Sequence, residues 1–168
     1  MENSRTLKRL FIANRGEICR RIAQSAKLAG LEVVAVGDPQ RAPQFLRGIV
    51  DEFAEVEEEN TALYLNIEVM LGLAKKHGCD AIHPGFGFLS ESAEFAQACI
   101  DQGFVWVGPK PEAIAQMANK ARALELARKA GVPCLPGLAD FVPPESGEDG
   151  FAPLHEFAKE AGLPIIIK

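Results

Sequence analysis

The run Asp80 to Glu91 (DAIHPGFGFLSE) gathers an imidazole, a hydroxyl and a carboxylate (His83, Ser90, Glu91) beside the aromatic rings of Phe86 and Phe88. Glycines at 85 and 87 let the backbone take positive φ and approach a ligand with no side chain in the way. The plainer reading of such a run is a tight Gly/Pro turn; the density of reactive side chains favours a binding loop. A serine-hydrolase site is disfavoured, because Ser90 lies in no G-x-S-x-G elbow and His83 has no evident carboxylate to orient it. A second polar turn, Asn14-Arg15-Gly16-Glu17, differs from both G-x-G-x-x-G and the Walker loop, which disfavours NAD binding and a P-loop. Two lysines complete the set. Lys120 opens a helical stretch, where a solvated side chain is the simplest reading. Lys168 directly follows Ile165-Ile166-Ile167, at the lip of an apolar strand, where an ammonium is suited to meet a phosphate as a compact charge.

These residues need a frame that brings loops together, and the patterning supplies one. Leu7 to Ala13 reads as a buried strand, and Ile18, Cys19, Ile22, Ala23, Ala26 and Ala29 recur at helical spacing up to Gly30. Glu32 to Val36 is a second buried strand, so the opening unit is β-α-β, parallel and right-handed. A short helix over Gln44 to Ile49, a brief strand over Glu52 to Val56, a helix over Leu65 to His77 and a strand over Ala81 to His83 follow. The loop then feeds a helix starting near Ser90, and Phe104 to Val107 is a further strand. The expectation is one doubly wound α/β domain with a mostly parallel sheet. Loops Asn14–Glu17, His83–Glu91 and Gly108–Glu112 then open at the same sheet edge, where ligands bind in such folds. Beyond Pro111 come helices over Pro111–Met117 and Lys120–Ala130, a loop rich in Pro, Gly and acids, a helix over Pro153–Ala161 and a strand over Leu163–Ile167.

Composition narrows the class. The 168 residues carry a net charge of −5, with 48% hydrophobic and 24% charged residues, ordinary for a globular protein and unfavourable for general nucleic-acid binding. Cys19, Cys79, Cys99 and Cys134 show no zinc-ligand spacing, and Cys19 and Cys99 fall on apolar helix faces as buried thiols. No signal-peptide core or membrane-length apolar run is present, and a cytoplasmic location without membrane attachment is expected.

Several stretches together resemble the biotin carboxylase family: Asn14-Arg15-Gly16-Glu17-Ile18, Tyr64-Leu65-Asn66-Ile67, His83 to Glu91, Val107-Gly108-Pro109, Lys120, Ala130-Gly131-Val132-Pro133 and Pro164 to Lys168. They occur in the family's order along nearly the whole chain. The resemblance implies a Rossmann-like pre-ATP-grasp domain (1–110), a helical linker (111–131) and the incomplete start of an ATP-grasp lid (132–168). It implies a ligase that uses ATP, Mg2+ and bicarbonate to carboxylate biotin, with a biotin carboxyl carrier and a carboxyltransferase component as partners and a possible homo-oligomer. Position by position it places Lys120 and Lys168 at ATP phosphates and Phe86 and Gly87 beside the biotin ring. Asn14, Arg15, Gly16, His83 and Glu91 become signature residues that support the site without transferring protons. No catalytic residue and no metal ligand is assigned within these 168 residues, so the chain alone is expected to be inactive.

The chain also departs from the family pattern. Phe86 stands where many relatives carry tyrosine, which removes a hydroxyl and keeps a ring. Gln24 and Leu28 replace charged residues frequent beside Arg21, on a helix the family often uses for a dimer contact, and residues 37–60 are divergent throughout. Two other readings accompany the main one: the first domain of a different ATP-grasp ligase, and a non-catalytic α/β domain that binds a nucleotide or a partner chain.

Overall fold

A computed structural model describes residues 6–56, 60–137 and 151–165. The chain divides into two compact units, residues 1–115 and 116–168.

The first unit is built on β1 (Arg9–Ile12), β2 (Glu32–Val36), β3 (Glu52–Ala54), β4 (Ala81–His83) and β5 (Val105–Trp106). Their order across the sheet is β3-β2-β1-β4-β5, and every pairing is parallel, with Phe11 opposite Val34 on one side and Ile82 on the other. The connecting helices are α1 (Gly16–Leu28), α2 (Ile67–Lys76) and α3 (Ala93–Asp101).

Strand residues alternate between two cores, as the period of 2 requires. Leu10, Ile12, Val33, Ala35 and Ala81 pack with Cys19, Ala23 and Ala26 of α1. Phe11, Val34 and Ile82 pack with Met70, Leu71 and Ala74 of α2 and with Phe95 and Cys99 of α3. The sheet is thus covered on both faces, the doubly wound arrangement expected from its near-continuous apolar strands. Burial pushes the Cys79 thiol up to about 11 and the Cys99 thiol to about 12, so both remain protonated and behave as small apolar groups.

Several element boundaries differ from the sequence reading. The segment expected to be helical at Gln44–Ile49 forms turns, with Gly48 at φ +81° interrupting the run and the Arg47 guanidinium donating to the Ala42 and Gln40 carbonyls at 3.0 and 2.7 Å. The helix expected from Leu65 begins at Ile67. Asn66 sets the start two residues later, because its side-chain oxygen accepts the Val69 amide at 3.1 Å as a cap. Ser92 does the same for α3, accepting from Phe95, and the chain between Phe88 and Glu91 is a single 3-10 turn.

α4 (Pro111–Ala118) leads out of the first unit. The second unit contains α5 (Lys120–Lys129), capped by Asn119 through the Arg122 amide at 3.0 Å, and α6 (Ala152–Ala161), closed by Gly162. The strand expected at Leu163–Ile167 is not formed over Leu163–Ile165, which have no strand neighbour among the described residues; Ile166, Ile167 and Lys168 lie outside those residues. Among the described residues no helix is long and apolar enough to cross a membrane.

Candidate functional site

Parallel pairing sends the ends of β1, β4 and β5 to one edge of the sheet, and their loops meet there. At the centre is Asn14, the residue after the last core position of β1. It is only 2% exposed. Its amide nitrogen donates to the Pro84 carbonyl at 2.8 Å and to the Phe86 carbonyl at 2.9 Å, while its oxygen accepts the Arg15 amide at 2.9 Å. One side chain therefore ties the first loop to the second and uses both of its N–H donors to do so.

The glycines of the second loop are explained by this contact and by backbone geometry. A Cβ on Gly85, at φ +73°, would lie 2.5 Å from the Asn14 amide nitrogen, so the two residues interlock only while position 85 has no side chain. Gly87 has φ +65° and ψ −162°, a region open essentially to glycine alone. Nothing would obstruct a Cβ at Gly87. At that position the requirement is conformation, whereas at Gly85 it is conformation and space.

His83 closes the inner side of the loop. Its Nδ1 accepts the Gly85 amide at 3.0 Å, which places the ring proton on Nε2, and burial holds the imidazole below the usual histidine range. His83 is therefore a neutral acceptor that shapes the loop. Glu91 sits on the exposed face of the 3-10 turn, and Ser90 is joined to that turn by its amide, which donates to the Gly87 carbonyl at 2.9 Å.

Beyond the turn, Phe88 is a non-glycine residue at φ +48°. Its ring stacks on Tyr64 with centroids 5.2 Å apart, and the Arg15 guanidinium lies 5.5 Å from the Phe88 centroid and 5.6 Å from that of Tyr64. A cation over two aromatic faces, one fully buried, gives the unfavourable backbone of Phe88 something to be held by. Phe86 is 75% exposed, the loop's large apolar surface. Phe86 and Phe88 border a crevice of about 510 Å³ that also takes in Arg15, Gly16, Gly37 and Arg41. Arg15 and Phe86 thus share one end of the sheet, as the topology required. Gly16, at φ +62°, turns the chain from β1 into α1.

The third loop is fixed differently. The Trp106 indole folds back to donate to the Pro109 carbonyl at 2.8 Å, and a Cβ on Gly108 would meet that indole at 2.7 Å. Lys120 belongs to the second unit, where it is the exposed first residue of α5. Lys168 lies outside the described residues.

Sequence reasoning did not assign parts to Tyr64, Trp106 or Arg41. Tyr64 and Trp106 are the only tyrosine and tryptophan of the chain, a compositional signal that could have singled them out. Arg41 carried no comparable signal.

The family model for the biotin carboxylase N-terminal domain matches residues 6–114. The chain is 41% identical over 165 residues to a biotin carboxylase of Haemophilus influenzae, covering 96% of this chain and 35% of that protein. It is 39% identical over 166 residues to a biotin-dependent acyl-coenzyme A carboxylase alpha3 subunit of Mycobacterium leprae, covering 98% of this chain and 27% of the subunit. Among solved structures, the biotin carboxylase domain dimer of Hydrogenobacter thermophilus 2-oxoglutarate carboxylase, in complex with MgADP, ADP and bicarbonate, is similar at a TM-score of 0.79. That likeness has 33% identity and covers 95% of this chain and 34% of the other. The chain spans about a third or less of the length of these relatives.

Proposed function

This chain belongs to the biotin carboxylase N-terminal domain family, and from that premise we propose that it forms the amino-terminal part of a ligase that carboxylates biotin with ATP and bicarbonate. The observation that carries the proposal is the loop Pro84–Phe88, held open by Asn14 and presenting an exposed Phe86 next to a side-chain-free Gly87. A flat apolar ring with bare backbone beside it suits a small bicyclic ligand whose ureido edge must reach backbone groups. In this reading Phe86 and Gly87 border biotin, and Asn14, Arg15, Gly16, His83 and Glu91 support the loop or its surroundings. Residues 1–110 are the α/β domain, 111–131 a helical linker and 132–168 the start of a lid over ATP. Mg2+ is held by residues that this chain does not supply. A biotin carboxyl carrier and a carboxyltransferase component are its partners, in the cytoplasm, in an assembly that can include a second copy.

Lys120 and Lys168 meet ATP phosphates in this reading. An ammonium on a phosphate is a charge-assisted contact worth about 1.5–3 kcal/mol, so Lys120→Gln in an enzyme carrying the remaining domains should weaken ATP use roughly ten- to hundredfold. Biotin dependence should change much less. The measurement is bicarbonate-dependent phosphate release as a function of ATP and of free biotin. Unchanged ATP kinetics would return Lys120 to an ordinary solvated helix position. Residues 1–168 alone should release no biotin-stimulated phosphate, because phosphoryl transfer needs metal and basic groups positioned around the nucleotide. Clear stimulation by biotin would mean that these residues carry a complete active site and would overturn the assignment.

A further inference from the structure

We propose that Asn14 is the positioning residue for the Phe86–Gly87 segment, fixing from β1 the shape that the loop after β4 presents to its ligand. The inference rests on the reading above, that this segment borders biotin.

Two sets of observations lead to it independently. The first is hydrogen bonding. Asn14 is buried and directs both amide hydrogens to carbonyls two residues apart, Pro84 and Phe86, at 2.8 and 2.9 Å. Donating to both carbonyls fixes the Pro84–Gly85 and Phe86–Gly87 peptide planes, and so the direction in which the chain enters Gly87. The Asn14 oxygen is engaged as well, by the Arg15 amide at 2.9 Å, which fixes the orientation of the side-chain amide. An amide reversed by 180° would set its oxygen against two carbonyl oxygens, so only one orientation is compatible with the loop.

The second is steric. The Asn14 amide nitrogen, Cγ and Cβ lie 2.5, 2.7 and 2.8 Å from where a Cβ of residue 85 would be. The glycine and the asparagine therefore fit as a peg and its socket, and a side chain on either one has consequences for the other. A single side chain thus joins the end of β1 to two carbonyls of this loop. His83 acts on the same loop from within, through the Gly85 amide, which shares its peptide plane with the Pro84 carbonyl; the Phe86 carbonyl is held by Asn14.

This gives Asn14 a task distinct from stability. Replacing it with a group of the same size that cannot donate should leave the sheet assembled while the loop loses its fixed shape. Asn14→Asp is that change: the carboxylate retains the volume and the acceptor for Arg15, and turns repulsive oxygen toward the Pro84 and Phe86 carbonyls. Asn14→Ser, a smaller residue with a single donor, is the second variant if the aspartate compromises folding.

The test has two arms. In the 168-residue chain, amide hydrogen exchange is compared at Gly85, Phe86 and Gly87 and at β1 core positions such as Phe11. The expected result is exchange at least about tenfold faster in the loop for Asn14→Asp, with Phe11 changed by less than about threefold and Asn14→Ser between wild type and Asp. In the enzyme carrying the remaining domains, the KM for free biotin should rise by about tenfold or more while the KM for ATP stays within about twofold. Loop protection equal to wild type in both variants overturns the inference. So does a uniform loss of protection through β1, which would make Asn14 a general stability residue. If Phe86→Ala raises the biotin KM and Asn14→Asp does not, positioning by Asn14 fails and the biotin reading stands. If neither variant changes the biotin KM, it is the underlying biotin reading that fails, and the inference as stated fails with it.

Discussion

The two ends of this one sheet are finished in opposite ways. At the amino end, charged side chains do the closing. The Asp80 carboxylate accepts the Lys8 and Arg9 amides at 2.9 and 3.1 Å, and Asp51 accepts the Val33 amide at 2.7 Å while pairing with Lys27 at 2.6 Å. Arg9 adds ion pairs to Glu32 at 3.0 Å and to Glu52, which in turn contacts His77 at 2.8 Å. At the carboxyl end, the chain is held by conformations that favour glycine, by one neutral amide and by aromatic stacking. A carboxylate can accept strand amides through either oxygen, and the long Arg9 and Lys27 side chains that pair with carboxylates tolerate small shifts. A glycine loop pinned by Asn14 has one shape. The first finish gives stability with freedom in detail; the second gives a defined surface and leaves little freedom to vary it.

If that contrast is right, equally small substitutions at the two ends should differ in cost and in kind. The largest effect is expected for Gly85→Ala. It adds one methyl where φ is +73° and where Asn14 atoms lie within 2.8 Å, so positive φ and overpacking together should cost about 2–4 kcal/mol. Urea unfolding measures it. A loss below about 0.5 kcal/mol would show that the loop yields easily and that the carboxyl end is not rigid.

At the amino end the counterpart is Asp80→Ala. Two backbone amides lose a charged acceptor, but Lys8 and Arg9 lie near solvent and water can replace part of it. The expected loss is about 1–2 kcal/mol, with loop exchange at Gly85–Gly87 unaffected. A change in loop exchange comparable to that in Asn14→Asp would show that the two ends are coupled and the contrast is wrong.

The same contrast explains what the sequence disclosed. The frame was legible because it rests on short-range patterns: LFIA, VVAV and AIH mark strands, and apolar helical spacing marks α1, α2 and α3. Single side chains of similar propensity decided the element ends, as Asn66 and Ser92 show by capping helices later than periodicity indicated. The loop at His83–Glu91 was visible from its composition. Its supports were not, since Asn14 is 70 positions from Pro84 and Tyr64 is 24 positions from Phe88. Spacing carries no record of which long-range carbonyl a side chain will reach. The family resemblance marked Asn14 and Arg15 as signature residues; the contacts of Asn14 with the Pro84 and Phe86 carbonyls appear only in the fold. Lys120, in the second unit, keeps its assignment from resemblance alone.

The smallest expected effect is on pH dependence, and it separates the ends most finely because each has one partly buried histidine. Burial holds His83 below its ordinary value; His77 is held low by burial, then by Lys76 and Arg9. Unfolding frees both to titrate near 6.5. Between the folded value and about 6.5 the unfolded chain binds more protons than the folded one, so stability should rise with pH through that window and be lost as pH falls below about 6.5. Asp51 contributes only at lower pH. Despite opposition from burial, Lys27 and the Val33 amide hold its carboxyl below the usual range, and the stability it adds is lost as pH falls below about 4. The two histidines differ in what protonation does locally. A proton on His83 Nδ1 removes the acceptor of the Gly85 amide and so acts on the loop. His77 already donates Nδ1–H to the Glu52 carboxylate when neutral, so its added proton goes to the buried Nε2 at the amino end, and nothing at the loop should change. Urea unfolding at pH about 5.5 and about 7.5 should therefore show lower stability at the acidic value, with the difference reduced in both His83→Gln and His77→Gln. The amide resonance of Gly85 should follow the His83 titration and be unmoved by His77→Gln. A Gly85 resonance that titrates with His77 instead would mean that the charged end communicates with the loop through the sheet, and the two ends would have to be treated as one device.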